Sequence, residues 1–94
     1  MVSAVISFKV KRGREKDFED KALAIANIMR KSAKGLIDIQ IYENIEDPSS
    51  YLIYMEWDSL TSLMEFPYYS YFKDIMVYGE REVLNKSPKM KILG

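Results

Sequence analysis

The chain has 94 residues, 48% of them apolar and 30% charged, a length suited to one domain with one modest core and a composition outside the disordered and membrane classes. Fourteen Lys and Arg balance fourteen Asp and Glu, so the basic excess that binds nucleic acid is missing, and no apolar run approaches the roughly 20 residues that cross a bilayer. Neither Cys nor His occurs, which removes disulfides, thiolate catalysis, iron–sulfur clusters, the commonest structural zinc sites and the imidazole that usually serves as general base or haem ligand. Any chemistry must therefore use carboxylates, Tyr, Lys, Arg, Trp or the substrate itself.

The opening MVSAVISFKV places Lys9, Lys11 and Arg12 after its apolar stretch. That is the wrong order for a signal peptide, and a cytoplasmic location is expected. Val2, Ala4, Ile6, Phe8 and Val10 alternate with Ser3, Ser7 and Lys9, the period-two pattern of a strand with one buried face. Gly13 breaks it. Phe18, Ala22, Ile25, Ala26 and Met29 then recur at helical spacing, predicting a helix from about Arg14 to about Lys34, with Asp17 and Lys21 as an i, i+4 pair on its outer face. Arg30, Lys31 and Lys34 offset the negative end of the helix dipole, and Gly35 supplies the left-handed residue that ends it.

A second strand reads Leu36 to Glu43, with Ile37, Ile39 and Ile41 on one face and Asp38, Gln40 and Tyr42 on the other. Asn44 to Ser50 reads as a loop punctuated by Asp47-Pro48. Tyr51 to Trp57 is a third strand: Tyr51, Ile53, Met55 and Trp57 lie on one face, Leu52 and Tyr54 on the other, and both faces want cover. Ser59 caps a short helix through Leu60, Leu63 and Met64, which Pro67 should stop because it has no amide donor. A second helical stretch begins near Ser70, its apolar stripe formed by Phe72, Ile75, Met76, Gly79 and Val83. Ser87-Pro88 closes it, and Met90 and Ile92 alternate with Lys89 and Lys91 in a last strand, where the two lysines read as edge protection. No repeat or linker divides residues 1–94, which read as a single domain.

The order β-α-β-β-α-β has one compact α+β solution, a ferredoxin-like four-stranded antiparallel sheet with both helices on one face. The other face, carrying Tyr42 and Tyr54, would be too apolar to stay wet in a monomer. A homodimer that pairs two sheets face to face removes the problem.

Three segments carry a family likeness: KRGREKDFE after the first strand, KGLIDIQIYENIEDPSSYLIYMEWDSL through strands two and three, and FPYYSYFKDI. With these the chain resembles the antibiotic-biosynthesis-monooxygenase family of dimeric α+β barrels along nearly its whole length. The motifs are mostly structural, and identify a fold better than a reaction. The resemblance implies one of several activities: cofactor-independent oxidation of polyketide aromatics, oxidation of quinols, haem degradation, or none assigned; related barrels include isomerases. Haem degradation is disfavoured, because the family's haem-ligating His falls on Met76, its active-site Trp on Phe66 and its strand-one Asn on Ile6. No cofactor and no metal site is expected, since Asp and Glu occur singly among Lys and Arg without paired-carboxylate spacing.

Candidate site residues follow from chemistry. Tyr42, Trp57, Phe66, Tyr69, Tyr71, Phe72 and Met76 form an aromatic and Met set suited to a flat aromatic substrate, placed with Tyr54 and Glu56 in a cavity between the sheet and the last helix. The same residues also suit a core and a dimer interface. In cofactor-free oxygenation the protein needs an acid or base and a dry pocket. Glu56 is the carboxylate placed to deprotonate a phenol, and Tyr54 the hydroxyl placed to stabilise an oxyanion. Two function classes stay open: a cofactor-independent monooxygenase of small phenolic, quinol or polyketide-like compounds, and a non-catalytic dimeric barrel binding a small hydrophobic molecule. An isomerase is a third. Neither nucleic acid nor membrane is an expected partner.

Overall fold

A computed structural model describes residues 1–66, 73 and 88–94. Its elements are β1 (Val2–Lys9), α1 (Glu15–Ser32), β2 (Leu36–Asn44), β3 (Asp47–Trp57), α2 (Leu60–Glu65) and β4 (Lys89–Ile92). The strands form one antiparallel sheet in the order β2-β3-β1-β4. This is the ferredoxin-like α+β arrangement, with the first and third strands central. The second helical stretch expected from Ser70 lies outside the described residues. No described helix is long and apolar enough to cross a membrane.

Alternation along the strands builds the core. Ala4, Ile6, Phe8 and Val10 from the first strand, Ile39 from β2, and Tyr51, Met55 and Trp57 from β3 are buried against Phe18, Ala22, Ala26 and Met29 of α1 and against Leu63 and Phe66. Phe18 sits between Phe8 and Tyr51, with ring centroids 5.1 and 4.7 Å away, tilted contacts of the kind aromatic quadrupoles favour. Arg30 does more than face the helix dipole. Its guanidinium donates to the Ile39 carbonyl at 2.9 Å and ties α1 to β2. Asp17 accepts from Arg14 at 2.7 Å, and Lys16–Asp20 forms an i, i+4 ion pair at 2.9 Å. Ser59 caps α2 as expected, accepting from the Ser62 amide at 3.2 Å.

Two local expectations are corrected. Ile37 does not share the face of Ile39 and Ile41: the pairing slips between Leu36 and Asp38, so Ile37 is the extra, unpaired residue of the irregularity, and it is exposed. The segment Asn44 to Ser50 is not a loop. Asn44 pairs with Asp47 across a turn of only Ile45 and Glu46, where the Asn44 side chain accepts from the Glu46 amide at 2.9 Å. The next pair is Glu43 with Tyr51, so Pro48, Ser49 and Ser50 form a second irregularity on β3. Pro48 sits where a missing ladder donor costs least.

Asp47 anchors this corner. It forms an ion pair with Lys9 and accepts from Ser50 Oγ at 2.7 Å. The Lys9 hydrogen bond first, and the Ser50 hydroxyl second, hold its carboxyl down to about 2. A carboxylate depressed in the folded state contributes stability that is present above its unfolded value, 3.8, and is lost as the pH falls toward 2. The Tm difference between wild type and Asp47→Asn should therefore be full above about pH 4 and close by pH 2. A difference constant between pH 5 and pH 2 would mean that the pair does not couple to folding.

Candidate functional site

Residues directly opposite in an antiparallel pair share a face, so the register defines the open side of the sheet row by row. One row across β2, β3, β1 and β4 is Tyr42, Leu52, Ser7 and Lys89; the next is Gln40, Tyr54, Val5 and Lys91; the third begins Asp38, Glu56 and Ser3. Tyr54 and Glu56 are half-buried, and the Tyr54 hydroxyl lies 3.3 Å from Ser3 Oγ. Tyr42 is 53% exposed.

The first row is hollow. Large side chains at its edges, Tyr42 and Lys89, flank the smaller Leu52 and Ser7, and a groove of about 410 Å³ follows, closed at one end by Lys9, Asn44 and Ser50. Glu43 and Tyr51 also border it. On the helix side the contrast is sharp. Between the sheet and α1, Ile6, Phe8, Met29, Met55, Phe66 and their neighbours line a cavity of about 20 Å³, room for about one water.

The sheet therefore divides the expected aromatic set. Tyr42, Tyr54 and Glu56 lie on the open face, whereas Trp57 and Phe66 lie in the core on the helix side, with ring centroids 5.6 Å apart. Glu56 and Trp57 are neighbours on one strand and so project to opposite sides. A single cavity cannot take both from this sheet. Tyr69, Tyr71, Phe72 and Met76 lie outside the described residues. Trp57 is fully buried and its ring N–H has no hydrogen-bond partner among the described residues.

Sequence reasoning missed two features of this region. Buried Tyr51 donates its hydroxyl to Glu19 of α1, and burial first, then that carboxylate, push the phenol well above its usual range. Next to it, Glu15 accepts from Ser49 Oγ at 2.7 Å, and this hydrogen bond lowers the Glu15 carboxyl. The alternation of Tyr51 with Ile53 and Met55 signals its burial, but its partner depends on how the helix lies on the sheet. The groove was missed too, because Ser7, Leu52 and Lys89 come from three strands. Among the described residues no group of three or more carboxylates is placed to hold a metal ion.

Comparison with known proteins agrees with this architecture. The fold matches solved structures provisionally named for the antibiotic biosynthesis monooxygenases: one from Nitrosomonas europaea (TM-score 0.88, 14% identity, 100% of this chain and 97% of that one) and one from Deinococcus radiodurans (TM-score 0.89, 16% identity, 100% and 91%). A third, from Bordetella bronchiseptica, has a TM-score of 0.82 at 24% identity, over 99% and 94% of the two chains. Among curated proteins none matches the sequence. The family model for antibiotic biosynthesis monooxygenase matches residues 1–76, well over half of the 94, and the chain belongs to that family.

Proposed function

We propose that the chain is a homodimeric, cofactor-independent monooxygenase of small phenolic, quinol or polyketide-like compounds, with its chemistry on the open sheet face. The observation that carries this reading is the family match over residues 1–76. In such a reaction the substrate is the reductant. A phenol loses its proton, the phenolate passes electrons to dioxygen, one oxygen atom becomes a ring carbonyl and the other leaves as water, so a phenol and O₂ give a quinone and H₂O. Glu56 takes the phenolic proton and Tyr54 hydrogen-bonds the oxyanion. The two are separated by one residue on β3 and share a face, roughly 7 Å apart, a span that reaches two positions of one ring. A second copy laid on Val5, Leu52, Tyr54 and Tyr42 would cover apolar surface and exclude water from the reacting anion.

The test is oxygen uptake by chelator-treated protein with a panel of quinols and anthrone-like phenols, on material that light scattering shows to have twice the 11.0 kDa chain mass. The expected result is one O₂ consumed per substrate, with Tyr54→Phe slowing turnover about five- to tenfold for the loss of one hydrogen bond, at a stability cost of no more than about 1.5 kcal/mol. No uptake above the protein-free rate, or an unchanged rate in Tyr54→Phe, overturns this assignment.

A second reading is a non-catalytic dimeric barrel that binds a small hydrophobic molecule. It is favoured by the lack of any buried charged residue among those described. It predicts saturable binding with no oxygen uptake.

A further inference from the structure

The open face of the sheet is sorted in two ways. Its charges are sorted by edge: Asp38 and Glu56 stand directly opposite each other on β2 and β3, whereas Lys89 and Lys91 project from the same face of β4. Asp38 cannot meet either lysine within one chain, since β2 and β4 are three strand spacings apart, roughly 14 Å. Its side chains are also sorted by size. In each row the β3 residue is larger than its β1 neighbour: Leu52 beside Ser7, Tyr54 beside Val5 and Glu56 beside Ser3.

The charge sorting costs stability in an isolated chain, because like charges directly opposite on a sheet repel. Among the described residues neither acid has a cation partner. Asp38 accepts from the Ile39 amide at 2.9 Å and from the Gln40 side chain at 3.1 Å, and half-buried Glu56 makes no ion pair. Lys89 and Lys91 are exposed and have no carboxylate partner among those residues either.

Two aligned sheets packed face to face keep their strand directions within about 30°, which leaves a two-fold axis two orientations in the plane between them. An axis perpendicular to the strands lays each strand on its own copy. It stacks the tall row of β3 on itself and brings the lysines of both β4 edges together. An axis parallel to the strands lays β3 on the partner's β1 and β2 on the partner's β4. Tall side chains then fall on short ones, and the acidic corner receives the lysine edge.

We propose that a second copy of this chain covers the open face about an axis parallel to the central strands, so that the partner's Lys91 pairs with Asp38 and Glu56. The same superposition sets the partner's Lys89 over the ring of Tyr42, a placement that the ring quadrupole favours. Each contact occurs twice, as isologous contacts must. Size and charge, two independent patterns, select the same axis. The inference deepens the proposed function by naming the residue that the partner adds to the Glu56 corner; it rests on that reading for the homodimer, not for turnover.

Sedimentation velocity of the full chain and its charge-reversed variants tests it. Wild type should sediment as a dimer. Lys91→Glu and Asp38→Lys, each shown to be folded by circular dichroism, should raise the dimer dissociation constant about tenfold or more, because each sets like charges together at two symmetry-related places. An equimolar mixture of the two variants should recover the dimer, since opposite charges then meet at both contacts. A chain carrying both substitutions restores the same match in a homodimer, and replaces the mixture if one single variant does not fold. A monomeric wild type overturns both this proposal and the homodimer of the proposed function. A dimeric wild type whose Lys91→Glu variant associates as tightly or more tightly, or whose weakened variants show no recovery when combined, overturns the pairing across the interface and leaves the homodimer standing.

Discussion

Replacing Gly35 by Ala should destabilise the fold by about 2–4 kcal/mol, the sum of a left-handed backbone penalty and a steric conflict in a packed corner. Gly35 has φ +88°, a region costly for any residue with a Cβ. Its carbonyl accepts from the Asp58 amide at 2.8 Å, which brings the start of β2 against the turn into α2. A Cβ built there would lie 2.7 Å from Asp58 Oδ1 and closer still to Ser62 Oγ. Ser62 is held by the Ser59 cap, so moving it aside would loosen the first turn of α2. Gly13 is the internal control. It has nearly the same φ, +91°, but nothing within 4 Å of the added Cβ, and Gly13→Ala should cost only about 1–2 kcal/mol. Chemical denaturation of the two variants measures the difference, and equal losses would show that the contact at Gly35 relaxes without cost.

Trp57→Ala should cost about 3–5 kcal/mol, enough to consume much of the stability of a domain this size. Trp57 is 0% exposed, stacks at a tilt on Phe66 and pairs in register with Val2 and Leu36 on the helix side of the sheet. Truncation would leave a cavity that a rigid sheet cannot close. Trp57→Phe should cost much less, because the smaller ring still fills most of the space and the substitution removes a buried N–H that has no partner among the described residues, a group whose desolvation costs about 1–3 kcal/mol. Thermal unfolding of the pair is the measurement. A Trp57→Ala variant as stable as wild type would instead place the indole in an open ligand cavity.

Much of the architecture was legible in the one-dimensional pattern. Period two in Val2 to Val10 and in Tyr51 to Trp57, period 3.6 from Phe18 to Met29, and Gly35 at its stop each follow from the side-chain geometry of a single element, so no knowledge of neighbours was needed. The boundary at Asp47-Pro48 was misread for a local reason. Pro and Asp are loop-formers by propensity, and only pairing with β2 and β1 made an irregular strand edge of that segment. Ile37 is a similar case. It looks like a member of an alternating apolar set until one slip in register turns it outward.

The site was legible as residue types and illegible as a place. Sequence showed that Tyr42, Tyr54, Glu56, Trp57 and Phe66 were candidates, and that the absence of His and Cys restricted the chemistry open to the chain. It could also show that Glu56 shares a face with Tyr54, since that depends on alternation within one strand. Which residues meet across strands is a different kind of fact, because register is set by loop closure and bulges whose effect accumulates over the sheet. Only the tertiary structure could put Tyr42, Leu52, Ser7 and Lys89, separated by up to 82 positions in sequence, into one row with a groove above it. Only it could seat Trp57 and Phe66 behind the sheet and give Lys9 a carboxylate partner in Asp47.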